Sequence, residues 1–340
     1  MRFLGISATL LLILLPVPGQ TNSSSIGSID FFGTVGIDVQ RIKDALPLHV
    51  GDQIATHSMK SAKAMIQQSI KNTIGMEPTD VAIACCDEQI RWVVFIGLPG
   101  KNYRPFHYKT KVNGSSKLHP QVIAVYREAM DLILESIQSH ASEDNSRGYA
   151  LSTYPPLRAK QLALHEYAEK NRELIYRVLE DSGDDEQRSV AAELVGYGSQ
   201  GRQQIVALVR ASQDMNGGVR NSAVRALGVL FDANKASAEL VPPGPFVAML
   251  NSGIWTDRNK GAFVIQGLTK NRNKGLLAML QKEASDSLLE MARWEDKGHV
   301  DSARIILGRI AGIDEKRLFQ LVAAHDLDTI VQAFRHNSPQ

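Results

Sequence analysis

The feature that most constrains the fold of this chain is a motif that returns four times in its second half. "RSVAAELVGYG" begins at Arg188, "RNSAVRALGVL" at Arg220, "NKGAFVIQGLT" at Asn259 and "VDSARIILGRI" at Val300. Each copy has a small residue three positions on (Ala191, Ala223, Ala262, Ala303) and a glycine eight positions on (Gly196, Gly228, Gly267, Gly308). The glycines are 32, 39 and 41 residues apart. Recurrence on this scale is that of stacked helix pairs, none of which buries its apolar face alone. Small residues let neighbouring helices approach, and the glycine is expected at the tightest crossing or a helix end. An apolar partner helix is predicted beside each copy, around Leu174–Leu179, Ile205–Val209, Phe246–Leu250, Leu276–Leu280 and Leu318–Val322. Residues 157–336 are therefore expected to form an all-α solenoid.

Asp185 with Arg188, Asn216 with Val219 and Arg220, and Asp257 with Arg258 fall where HEAT repeats carry their Asp and Val-Arg pair. On these residues the second half resembles a HEAT-repeat protein. The prolines usual in the first helix of that repeat are mostly missing, which leaves other helical solenoids open. The resemblance implies a protein-binding scaffold. It also implies an alternative, since some HEAT-like proteins that handle bilin chromophores are lyases or modifying enzymes.

Residues 26–117 read as an α+β domain. Ile29 and Phe31 lead into a glycine turn at Gly33–Gly36. Asp38 can cap a helix carrying Val39, Ile42, Ala45 and Leu46, ended by Pro47. A second amphipathic helix is predicted from Lys60 to Ile74, stopped by Gly75. Asp80–Cys86 and Ile90–Ile96 read as strands around the turn Asp87-Glu88-Gln89. The order is strand-helix-helix-strand-strand. With "SIDFFGTVGIDVQRIKDALPLHVGD" and "DVAIACCDEQIRWVVFIGLPG" it resembles the POTRA domain of bacterial envelope proteins. That likeness implies partner binding at a sheet edge by strand addition. POTRA domains commonly precede an outer-membrane barrel or a membrane segment, and neither follows here, so the barrel transporter itself is not expected. Alternation of Phe106, Tyr108, Thr110 and Val112 with His107, Lys109 and Lys111 predicts one more strand. Residues 118–156 are expected to be a connection, a helix from Pro120 to about Gln138 and then a polar linker.

The first residues carry an address. Arg2 precedes an apolar run from Leu4 to Leu15, too short to span a bilayer comfortably, and Val17 and Gly19 are small residues at a cleavage spacing. Residues 1–19 are predicted to be a signal peptide cut after Gly19, giving an exported, periplasmic or secreted protein; a retained anchor is the alternative. The absence of a cysteine near the cut argues against a lipoprotein. Cys85 and Cys86 are the only cysteines. As neighbours on a strand they would point to opposite faces, which argues against a disulfide between them. Asn22 and Asn113 sit in glycosylation sequons, relevant only in a eukaryotic source.

Three groups are candidate sites. Trp255, Arg258, Arg293, Trp294 and His299 fall in successive repeats, and aromatics with arginines are common anchors of protein interfaces. The two tryptophans equally fit a filling role where the repeats lengthen. Between Glu88 and Glu128 there is no acidic residue, and Arg91, Lys101, Arg104, Lys109, Lys111 and Lys117 are interleaved with Tyr103, Phe106 and Tyr108. Such a patch suits an anionic surface, or a strand edge guarded by lysines. The pair His165-Glu166 is short of the three protein ligands a metal site needs. Neither a nucleophile elbow nor a phosphate-cradling loop occurs; Gly33-Thr-Val-Gly36 is too short and lacks the lysine. With a net charge of +2 the whole molecule is not built around a polyanion, so nucleic acid is not expected. No catalytic residue, cofactor or metal is assigned. The expected function is a non-enzymatic scaffold in the bacterial envelope with protein partners, and an anionic-surface-binding module is a further alternative.

Overall fold

The structure, a computed structural model, describes residues 23–110, 112–198 and 201–337. The elements run β1 (Ser23–Phe32), α1 (Val39–Ala45), β2 (Gln53–Ala55), α2 (Met59–Ile74), β3 (Asp80–Cys85), β4 (Trp92–Gly97), α3 (Pro120–Gln138), β5 (Glu143–Asp144), β6 (Leu151–Ser152), α4 (Pro155–Lys170), α5 (Arg172–Asp181), α6 (Asp185–Tyr197), α7 (Arg202–Ala211), α8 (Gly217–Ala233), α9 (Gly244–Leu250), α10 (Trp255–Leu268), α11 (Lys274–Glu283), α12 (Ser285–Ala292), α13 (Asp301–Ile310), α14 (Glu315–Ala323) and α15 (Leu327–His336). A small sheet domain is followed by a helical repeat array. The described residues cluster into two compact units. One holds residues up to 106 together with 247–262 and 269–337; the other holds 107–246 and 263–268. The first unit thus joins the sheet to C-terminal helices, a grouping that domain boundaries at 117 and 156 do not anticipate.

In the first unit the sheet has the order β2-β1-β4-β3, with β1 parallel to β4 and the other pairs antiparallel. Asp38 caps α1 by accepting from the Arg41 amide, and Gly75 ends α2 at φ 71°, as the sequence predicts. The short β2 lacked a sequence signal because only three residues pair. One face of the sheet carries Ile26, Trp92, Val94 and Ile96 against Ile42, Ile66 and Ile70 of α1 and α2. Every residue of β4 is buried, so the alternate residues Val93 and Phe95 are covered as well. A strand buried on both faces needs a second layer, and the C-terminal helices supply it.

In the second unit, α6 and α8 cross closely. A Cβ on Gly196 would lie 2.7 Å from that of Ala226, and one on Gly228 would lie 1.9 Å from the Phe263 ring. Gly267 faces Phe231 in the same unit, and in the first unit Gly308 faces Leu318. Glycine at these positions is therefore a matter of space. Gly228→Ala is expected to cost about 1–3 kcal/mol by overpacking, whereas Gly244→Ala, with nothing within 4 Å of the added carbon, is expected to be nearly silent. Urea midpoints of the two variants check this; equal midpoints would remove the packing explanation.

An arginine recurs in a fixed role. Arg188 donates to the Ser182 carbonyl at 2.8 Å, Arg220 to the Asp214 carbonyl at 2.8 Å, and Arg258 to the Ser252 carbonyl at 2.6 Å. In each case the acceptor lies six residues earlier. The buried guanidinium ties the turn before its helix to the helix itself, satisfying carbonyls that would otherwise be buried without partners. Arg188 adds a two-point bond to Asp214, at 3.1 and 2.9 Å. Arg188, the Asn216 amide and Lys109 together hold the Asp214 carboxyl below its usual range against the opposing effect of burial. The helix caps are Asp184 and Asn216.

Three expectations need correction. Residues 103–110 form no strand: the Lys109 amide donates to the Gln213 carbonyl at 2.8 Å, and Tyr108 lies under the Arg220 guanidinium at 4.6 Å. The alternation that suggested a strand serves packing on helices. The linker before α4 contains the hairpin β5–β6, with Tyr149, Ala150 and Leu151 buried. Cys85 and Cys86 are joined by a disulfide, and both pack against the sheet core. β3 ends at Cys85, so strand alternation does not govern Cys86. The predicted signal segment, the Asn22 sequon and Lys111 lie outside the described residues.

Candidate functional site

Trp255, Arg258, Trp294 and His299 are all turned inward. These residues are 2%, 0%, 4% and 5% exposed, while Arg293 alone of the five is exposed. Trp255 opens α10 and stacks on Phe95 of β4 at 4.4 Å between ring centroids. Trp294, just after α12, lies 5.0 Å from Phe95 and 6.3 Å from Phe32. His299 meets the edges of Phe95 and Trp255 at 5.5 and 5.2 Å. The aromatic residues thus form the second layer of the sheet, and their binding partner is their own chain.

Three carboxylates bind backbone amides across this contact. Asp30 of β1 accepts from the Glu295 and Asp296 amides at 2.7 and 3.2 Å. Asp80 of β3 accepts from the Trp255 amide at 3.0 Å, an anion at the positive end of α10. Glu290 of α12 reaches the turn after β1, where the Gly33 and Thr34 amides donate at 2.9 and 2.7 Å and the Thr34 hydroxyl at 2.5 Å. Asn102 and Arg258 donate to the same carboxylate at 2.8 and 3.0 Å. Gly33 has φ +69°, and a Cβ there would lie 2.2 Å from the Leu98 carbonyl oxygen, so only glycine fits. The Gly33-Thr34 turn is an anion nest, filled by Glu290. Trp294 Nε1 also donates to the Phe31 carbonyl at 3.0 Å.

Burial raises the Asp30 carboxyl to about 6, although the two amides pull the other way. Burial raises Asp80 too and draws the Arg258 guanidinium down to about 10 despite Glu290. For Asp30 the folded value lies above the unfolded one, so the folded state binds the proton more tightly. Its contribution to stability is present below pH 4 and is lost as pH rises from about 4 to about 6. Asp30→Asn is expected to remove this slope, a difference on the order of 3 kcal/mol across the window. Denaturant melts of both proteins at pH 3.5 and pH 7 check it, and parallel pH dependence would refute the assignment.

The residues of the basic stretch are placed one by one. Arg91 pairs with Asp87 at 2.7 Å, Lys109 pairs with Asp214 at 3.1 Å, and Arg104 donates to the Lys101 and Tyr103 carbonyls at 2.5 and 2.9 Å. Arg91, Lys101 and Arg104 belong to the first unit, and Lys109 and Lys117 to the second. Lys101 and Lys117 are exposed. His165 is held by the Tyr197 carbonyl at 2.7 Å from Nδ1 and stacks on Tyr149. Among the described residues no group of three His, Cys, Asp or Glu is placed to hold a metal, and no helix is long and apolar enough to cross a membrane. A cleft of about 260 Å³ in the second unit is lined by Lys109, Thr110, Val112, Leu179, Glu180, Ala207, Arg210 and Ala211.

No family model matches the chain, and no curated protein matches it. Solved structures do. A computationally designed armadillo repeat protein for modular peptide recognition is 13% identical, with a TM-score of 0.37 over 55% of this chain and 94% of that one. A designed armadillo repeat protein in complex with the peptide (KR)4 is 15% identical, with a TM-score of 0.36 over 55% and 95%. An engineered protein is 15% identical, with a TM-score of 0.39 over 63% and 98%.

Proposed function

We propose that the protein is a non-catalytic interaction scaffold of the bacterial envelope, combining a POTRA-like sheet domain with a HEAT-like array and holding protein partners. The observation that carries this reading is the use of the buried arginines. Arg188, Arg220 and Arg258 all hold turns in place. Arginines used in this way serve the architecture of a repeat array, and the reading assigns partner contacts to its outer surfaces. With Trp255, Trp294 and His299 engaged by the sheet, partner contacts fall to the array of the second unit and to β3, which among the described residues pairs with β4 alone. Export rests on the apolar run Leu4–Leu15 and the small residues Val17 and Gly19. Cross-linking in native envelopes followed by mass spectrometry tests the reading. Cross-links from α4–α8 or β3 to another protein are expected, and a protein found only in the cytosol with no cross-linked partner would defeat it.

A further inference from the structure

The disulfide between Cys85 and Cys86 cannot act as a staple. It joins neighbours in the chain. In the chain-entropy account a cross-link stabilises a fold by closing a loop of the unfolded chain, and longer loops gain more. Between adjacent residues there is no loop to close. The hairpin that carries the pair is also held without it. β3 and β4 pair from Asp80 with Gly97 through to Cys85 with Trp92. In the turn that follows, the Asp87 amide donates to the Arg91 carbonyl at 3.1 Å and the Ile90 amide to the Asp87 carbonyl at 3.0 Å. Arg91 Nε donates to the Asp87 carboxylate at 2.8 Å.

The pair is open to reagents on one side and touches the core on the other. Both cysteines are part-exposed, and residues 88–90 just beyond them are exposed, Ile90 by 71%. Disulfides that solvent reaches are the ones thiols exchange with most readily. Cys85 stands opposite Trp92 in the antiparallel register, where paired side chains share a face. Both cysteines pack against the cluster that contains Trp92. Trp255 and Trp294 lie against Phe95, on the other face of the sheet. The chain has no further cysteine, so no third thiol competes for either sulfur.

We propose that Cys85–Cys86 is a redox site that takes two electrons from a protein dithiol; this stands apart from the scaffold reading. A thiolate of the dithiol attacks one sulfur, the S–S bond breaks, and the other cysteine leaves as a thiolate that takes up a proton. The second thiolate of the dithiol then attacks the mixed disulfide and releases the first cysteine, which is protonated in turn. The chain gains two electrons and two protons, and the dithiol becomes a disulfide. To test this, the folded full chain is held in buffers of graded reduced-to-oxidised dithiothreitol ratio, alkylated with iodoacetamide and weighed by mass spectrometry. Both cysteines are expected to become alkylated together as the buffer turns reducing, and to be protected again when it is made oxidising. The urea midpoint is expected to be the same in both states. Reduction should also brighten tryptophan emission, because a disulfide quenches an indole beside it, and Trp92→Phe should lose the brightening. Should Trp92→Phe fail to fold, alkylation of the wild type decides. A thioredoxin with its second active-site cysteine changed to serine probes the partner class, and a mixed disulfide with the full chain, released by dithiothreitol, is expected. A bond that yields only after urea has unfolded the chain, cysteines that stay open to alkylation in oxidising buffer, or a urea midpoint that falls on reduction overturns the redox site. Absence of the mixed disulfide overturns the protein dithiol as its partner.

Discussion

Glu290→Ala is expected to destabilise the protein by about 3–5 kcal/mol, the usual cost of stripping one partner from a buried charge pair. The carboxylate accepts from the Gly33 and Thr34 amides, the Thr34 hydroxyl, Asn102 and Arg258. Its loss leaves the Arg258 guanidinium, with no exposed surface, facing no anion. Arg258 Nη2 already has no partner among the described residues, so the site has little slack. Glu290→Gln should cost less, because the amide oxygen still accepts. The double variant Arg258→Met/Glu290→Ala should recover part of the loss, since an apolar chain of similar length removes the orphaned charge and keeps its cover over Phe32. Denaturant titration of the wild type, Glu290→Ala, Arg258→Met and the double variant measures the cycle. A loss below about 1 kcal/mol for Glu290→Ala, or no recovery in the double variant, would show that the carboxylate is not the centre of this contact.

The second large effect concerns the sheet domain cut free. A fragment of residues 23–106 is expected not to fold cooperatively. It would expose Phe32, Val93 and Phe95, all buried in the intact chain, and each such side chain is worth about 1.5–3 kcal/mol on burial. It would also strand the carboxylates Asp30 and Asp80 without the Glu295, Asp296 and Trp255 amides. Poor dispersion in an amide proton spectrum and strong binding of a hydrophobic dye are the expected readouts. A well-dispersed spectrum with a sharp melt would mean that the sheet does not need its second layer.

The elements were largely legible in the sequence, and their assembly was not. Helices at 39–45, 59–74 and 120–138 and the repeat helices follow from period, caps and glycines, all local signals. The two strands around Asp87-Glu88-Gln89 are equally local. What period and caps do not encode is which apolar face meets which. Trp255 and Trp294 read as interface anchors because aromatics beside arginines are read that way wherever they occur; nothing near them in sequence names Phe95 as their partner. One signal was present in β4. "WVVFI" is apolar without alternation, the mark of a strand covered on both faces, which implies a second layer from elsewhere in the chain. The Gly33-Thr34 nest was visible as a glycine turn, yet only distance shows that its anion is a glutamate 256 residues away. The hairpin β5–β6 escaped because two-residue strands have no period to detect.

The contacts between the sheet and the C-terminal helices also set an order of events. The bonds from Gly33 to Glu290, from Trp294 to Phe31 and from Glu295 to Asp30 span 257, 263 and 265 residues. Closing such loops is slow compared with making local helices. As the chain leaves the ribosome, β1 and β4 emerge well before α10 and α12, which carry their second layer. Throughout that interval Phe32 and Phe95 have no cover, so the nascent protein carries a sticky sheet face while its helices assemble. Vulnerability to aggregation and proteolysis is therefore greatest before α10 and α12 emerge, and a holding chaperone would act on the sheet although the missing piece is helical.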